Sequence, residues 1–60
     1  SMRYGKKYSL INFGELYEFE VVEIRNSDDF LLKDLFTLET YSMSDLVMYG
    51  KGEDFENREI

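Results

Sequence analysis

Between Gly14 and Ile24, apolar and acidic residues alternate, with Tyr17, Phe19 and Val21 at period two and Glu18 and Glu20 between them. This is the pattern of a half-buried β-strand. At Val21-Val22 the alternation slips by one, which puts Val22 and Ile24 in the phase of the glutamates. Such a slip predicts a strand that bends or bulges and is buried on opposite faces in its two halves. Small closed barrels turn their corners with strands of this kind. Ahead of it, Tyr8 to Phe13 reads as a first short strand, Tyr8 and Leu10 in one phase, Ile11 and Phe13 in the other. Gly14-Glu15 supplies the turn between them, since Gly14 takes positive φ at little steric cost. The bent strand spans 16 to 25 and ends at Asn26-Ser27-Asp28-Asp29, a cluster of turn formers.

The pattern over Phe30 to Met43 supports two readings. As β structure it is a hairpin: Phe30 to Leu35 up, a turn near Phe36 to Glu39, and Thr40 to Met43 back, with Tyr41 and Met43 alternating with Thr40 and Ser42. As α structure, Ser27 is the N-cap, Asp28 and Asp29 sit in the first turn, and Leu31, Leu32, Leu35, Phe36 and Leu38 form an apolar stripe. The hairpin is preferred. Ser44 to Gly50 then reads as a short helix, with Ser44 as N-cap and Gly50 at C′. Flanking this single domain, residues 8 to 50, are a basic N-terminal arm over 1 to 7 and an acidic C-terminal tail over 51 to 60. The arm reads as loosely held, and the tail as frayed unless Phe55 finds a pocket.

A short strand passing through Gly14 into a long bent strand, an Asp-rich turn, then Leu31-Leu32-Lys33-Asp34-Leu35 before a hairpin, resembles small SH3-like and OB-like barrels over residues 10 to 47. Two features depart from them: no glycine marks the second hairpin, and the chain is short for an OB-fold. The expected fold class is mainly β, a small SH3-like or OB-like barrel or a curled antiparallel sheet with one short helix near 44 to 50. The alternative is α+β with a helix over 27 to 39.

Composition strengthens the β reading. Ala, Cys, His, Pro, Gln and Trp are absent, while Phe and Tyr number five each, alongside Val, Ile and Thr. Sixty residues make one small domain, and without cysteine neither disulfides nor a thiolate zinc site can staple it. Aromatic bulk is left to build the core, and Tyr17, Phe19, Phe30 and Tyr41 are its candidates. No apolar run approaches the roughly 18 residues of a membrane span, and the chain reads as cytoplasmic.

Charge narrows the partners. The net charge is −6, divided between +3 over residues 1 to 14 and −9 over residues 15 to 60. An acidic body disfavours polyanions, whose binding draws on clustered Lys and Arg. Without His or Cys there is no imidazole base and no Ser–His or Cys–His nucleophile pair. Asp28-Asp29 and Glu53-Asp54 lack the spacing of a calcium loop. Gly50-Lys51-Gly52 is followed by acids and lacks the spacing of a phosphate loop. No enzyme activity, cofactor or metal is therefore expected.

The expected function is a non-enzymatic acidic protein-interaction module that binds a basic protein or its own copy. A special case is a small phage or mobile-element inhibitor of a host nucleic-acid-binding protein. Candidate partner-binding residues are Glu18, Glu20 and Glu23 on the strand face, Phe36 and Leu38 at the hairpin turn, and Tyr49. Each has a plainer role: a solvated sheet face for the glutamates, and core packing for Phe36 and Leu38 in the helical reading. The competing function is single-stranded nucleic-acid binding by a small β-barrel through Arg3, Tyr4, Lys6, Lys7 and Tyr8, with the tyrosine rings stacking on bases.

Overall fold

A computed structural model describes residues 2–60. Its elements are β1 (Lys7–Asn12), β2 (Glu15–Asn26), β3 (Asp29–Asp34), β4 (Thr40–Ser42), α1 (Met43–Leu46) and β5 (Glu56–Glu59). They form one five-stranded sheet in the order β4-β3-β2-β1-β5, with every neighbouring pair antiparallel. The fold is mainly β, a curled sheet with one short helix. It does not close into a barrel, because β4 and β5 remain its two edges. Both edges carry protection against unwanted pairing: β4 has three residues, and β5 is the charged run Glu56-Asn57-Arg58-Glu59.

The slip at Val21-Val22 is a β-bulge. Val21 stands opposite Leu32 and Glu23 opposite Leu31, so Val22 is the extra residue, and a second irregularity lies between Ile24 and Asn26. The bulge corrects the expected exchange of faces. Residues directly opposite each other share a face, and Ile24 stands opposite Phe30, two residues from Leu32. The inserted residue thus returns Ile24 to the concave side of Val21 and keeps Glu23 on the convex side with Glu18 and Glu20. One face of β2 stays apolar from Tyr17 to Ile24, and the bulge gives the sheet its bend.

The β1–β2 loop is the pair Phe13-Gly14, one residue earlier than the expected Gly14-Glu15. Both φ angles are positive, 50° and 77°, as a two-residue loop matched to strand twist requires. The segment after β2 is the hairpin β3–β4, not a helix over 27 to 39. The helix α1 is capped by Ser42 rather than Ser44: the Ser42 hydroxyl accepts the Asp45 amide at 3.1 Å. Ser42 and Asp45 have the spacing of a capping box, and capping at Ser42 turns Met43 into the core.

The core comprises Met2, Tyr8, Leu10, Phe19, Val21, Leu32 and Met43, with half-buried Tyr17, Phe30, Tyr41, Leu46, Val47 and Phe55 packed against it. Tyr8 and Phe19, opposite each other on β1 and β2, bring their ring centroids to 6.1 Å. The N-terminal segment is not a loose arm. Met2 is buried, the Gly5 amide donates to the Val21 carbonyl at 2.8 Å, and the Val21 amide donates to the Lys6 carbonyl at 3.0 Å. The C-terminal segment is ordered in turn by Phe55, which packs on the core and starts β5 against β1.

Candidate functional site

The β3–β4 turn is built on Asp34. Its Oδ1 accepts the amides of Phe36 at 2.7 Å and Thr37 at 2.8 Å. Its own amide donates to the Glu39 carbonyl at 2.8 Å, and its carbonyl accepts the Leu38 amide at 3.0 Å. The amides of Thr37 and Phe36 hold the Asp34 carboxyl below the usual carboxylate range. This tight turn places Leu38 at φ 65°. A left-handed conformation costs a side-chain-bearing residue about 1–2 kcal/mol, which is why glycine or asparagine usually takes it. Neither bulky residue recovers that cost by burial, for Phe36 is 95% exposed and Leu38 62% exposed.

The three candidate glutamates share the convex face but not one electrostatic environment. Glu20 stands between Lys7 of β1 and Lys33 of β3. The Glu23 carboxylate meets the Arg25 guanidinium at 3.4 Å. Glu18 stands opposite Ser9, forms no ion pair among the described residues, and accepts the Leu35 amide on its carbonyl at 3.0 Å. The fold therefore brings Glu18 to the base of the Phe36–Leu38 turn and leaves Glu20 and Glu23 farther along β2 beside cations. Tyr49 is 89% exposed in the turn after α1, on a different element from the hairpin.

The basic and aromatic residues near the N-terminus do not form one open surface. Tyr8, expected to offer its ring for stacking, is buried against Phe19, and its hydroxyl accepts the Arg3 amide at 2.8 Å. Arg3 pairs with Glu59 at 2.7 Å, which raises the guanidinium pKa further. Tyr4, Lys6 and Lys7 remain exposed.

Two features escaped the sequence reading. The first is a polar clasp. Buried Asn12 donates to the Gly50 carbonyl at 3.3 Å and accepts the Gly52 amide at 2.7 Å, while the Asp54 carboxylate accepts the amides of both Phe13 and Gly14. A Cβ at Gly52 would come within 2.8 Å of the Asp54 carboxylate and 2.9 Å of the Phe13 ring, so a larger residue there would force one of these side chains to shift. The phase of Tyr8 and Leu10 extends to Asn12, which was the available signal of an inward polar residue. The second is a pocket of about 290 Å³ on the concave face, formed by Tyr17, Asp34, Tyr41, Asp45 and Leu46. The Tyr41 hydroxyl is buried there without a hydrogen-bond partner, and burial, then the Asp34 charge, pushes its pKa up to about 12. A larger groove of about 390 Å³ lies between Met2, Phe30, Met43, Val47 and Phe55.

Among the described residues, no three carboxylates gather as a metal site, and no helix is long and apolar enough to cross a membrane. No protein-family model matches the chain, and neither a curated protein nor a solved structure matches it.

Proposed function

We propose that this chain is a non-enzymatic protein-interaction module of the cytoplasm that docks a basic protein partner through the β3–β4 turn. The observation that carries the reading is the pairing of Phe36, almost wholly solvated, with Leu38, held at positive φ, on a turn fixed by Asp34. Folding gains little from either side chain there, and strain kept with so small a packing return points to function. Charge sets the partner's chemistry. Glu18, Asp34 and Glu39 surround the turn on a chain of net charge −6, so an apolar cleft rimmed by Lys and Arg is the complementary surface. A phage or mobile-element inhibitor occupying a host protein's nucleic-acid-binding face is one form of this activity.

The test compares capture by the wild-type chain with capture by Phe36→Ser and Glu18→Lys. A basic partner retained by the wild type and lost by Phe36→Ser supports the reading; unchanged capture by both variants refutes it. Glu18→Lys is the cleaner charge reversal, because Glu20→Lys would set three lysines side by side across β1, β2 and β3. Sedimentation over a range of concentrations identifies the partner as a second copy if the mass doubles and Phe36→Ser abolishes the doubling.

A further inference from the structure

We propose that the outer edge of β5 pairs antiparallel with β5 of a second copy of this chain, in the register that sets Asn57 of one copy opposite Asn57 of the other. This edge is the far side of the sheet from the β3–β4 turn, so the pairing is independent of the docking function proposed above.

The free backbone groups of β5 can be assigned. The strand ends the sheet, pairs only with β1, and is exposed throughout. The Ile60 amide donates to the Lys7 carbonyl at 3.0 Å. Hydrogen-bonded pairs alternate along an antiparallel ladder, so the next bonded pairs are Ser9 with Arg58 and Ile11 with Glu56. The amides and carbonyls of Asn57 and Glu59 therefore point away from β1, toward the open edge. The Phe55 amide is taken by the Gly52 carbonyl at 3.1 Å, and the Phe55 carbonyl is left on the same open side. Such a row of unpaired groups is a template for one more strand.

Charge selects the occupant and the register. Arg58 and Glu56 stand opposite Ser9 and Ile11, out of phase with the core residues Tyr8 and Leu10, so both project from the convex face. With Asn57 on the two-fold axis, Glu56 of each copy stands opposite Arg58 of the other. These are non-hydrogen-bonded positions, where opposed Cα atoms approach to about 4.5 Å and side chains meet most closely. Asn57 itself exchanges two backbone hydrogen bonds with its mate, and each Glu59 amide faces a Phe55 carbonyl. Moving the axis by one residue destroys the match: centred on Arg58 it opposes two arginines, and centred on Glu56 it opposes two glutamates. Like charges directly opposed are destabilising. Within one chain Arg58 already meets Glu56 at 2.6 Å, so pairing builds a cluster of four charges alternating in sign. The charges that guard this edge against other strands thus accept a second β5. Exposed ion pairs add little affinity, and four residues make a small contact, so the dimer is a weak one.

The test is sedimentation of the full chain from about 10 µM to about 1 mM at physiological ionic strength, where screening limits repulsion between two chains of net charge −6. The mass should double toward the upper concentrations, with slower exchange of the Asn57 and Glu59 amides. Arg58→Glu and Glu56→Arg should each weaken the doubling about tenfold. An equimolar mixture of the two variants should restore it, because Glu and Arg again stand opposite each other across the axis. Circular dichroism checks that each variant keeps its fold. A chain that stays monomeric at about 1 mM overturns the pairing and leaves the edge to an extended segment of another protein. Doubling indifferent to either charge reversal, or a mixture that stays monomeric, also overturns it. Phe36→Ser separates the two surfaces. Doubling that survives this substitution supports pairing at β5, and doubling abolished by it assigns the second copy to the turn and overturns the β5 dimer.

Discussion

Leu38 carries a conformational cost that its side chain does not repay, and the φ of 65° is imposed by the turn rather than chosen by leucine. Leu38→Gly should therefore stabilise the fold by about 1 kcal/mol. In a domain of this size that raises the thermal midpoint by roughly 4–8 °C, readable by circular dichroism. Under the proposed function the same variant loses partner capture, so stability and binding move in opposite directions. Asp34 predicts an acid effect. Its carboxyl is held low by the Thr37 and Phe36 amides, so its contribution to stability is complete above the ordinary aspartate value and is lost as pH falls through the depressed one. Asp34→Asn should lack that part of the acid slope in denaturant midpoints measured from neutral to low pH. Tyr41 predicts an alkaline effect. Its pKa rises from 10.0 to about 12, so stability present below pH 10 is lost as pH climbs through that interval. Tyr41→Phe should flatten the alkaline loss and, by removing an unsatisfied hydroxyl, gain on the order of 1 kcal/mol at neutral pH in urea unfolding.

Among the elements, β2 shows how local pattern and long-range pairing divide the work. The slip at Val21-Val22 announced an irregularity, but the neighbouring strand decided its outcome. Leu31 and Leu32 accept Glu23 and Val21 with one residue left over, which keeps the apolar side chains on one face. Burial favours that solution because a true exchange of faces would have moved Ile24 away from Phe30. The C-terminal strand depends on polar anchors instead. Asn12 and Asp54 tie residues 50 to 54 to the first hairpin, and β5 follows. Asn12→Ala should cost about 1 kcal/mol, because it removes the hydrogen bonds of the buried Asn12 side chain to the Gly50 carbonyl and the Gly52 amide. Faster amide exchange confined at first to β5 would show that the clasp, rather than the core, was broken.

For the molecule as a whole, charge is distributed less simply than a sum along the chain suggests. The excess of cations at the N-terminus is partly consumed by Arg3–Glu59, and Glu20 and Glu23 lie beside Lys and Arg. Part of what remains unpaired, Glu18, Asp34 and Glu39, lies around the β3–β4 turn, and the rest is spread over Glu15, Asp28, Asp45, Glu53 and Asp54. Capture of a basic partner should weaken as salt rises from low to physiological ionic strength, mainly through a slower association rate, and Glu18→Lys should reduce that salt dependence. Surface-sensor kinetics at several salt concentrations would check this. A salt-independent rate would place the affinity in the apolar contacts alone.

The sequence by itself determined the strand-rich class, the bent second strand and a short helix before Gly50. These follow from period-two alternation, turn formers and capping residues, all properties of neighbours along the chain. Over 30 to 43 the sequence allowed both a hairpin and a helix, and the pairing of β3 with β4 decided for the hairpin. Under the hairpin reading it also placed Phe36 and Leu38 in the turn, because no glycine was available to fill it. Only the tertiary structure decided that Tyr8 and Met2 belong to the core, that the glutamate row is broken by cations, and that β5 docks instead of fraying. It alone brought Tyr17, Asp34, Tyr41 and Asp45 around one shallow depression. Those outcomes depend on which strand lies beside which and in what register, and pairing between distant segments is set by shared burial rather than by any local preference. The sheet stays open for the same reason: β4 ends after three residues as the chain turns into α1, and β5 is spent on β1.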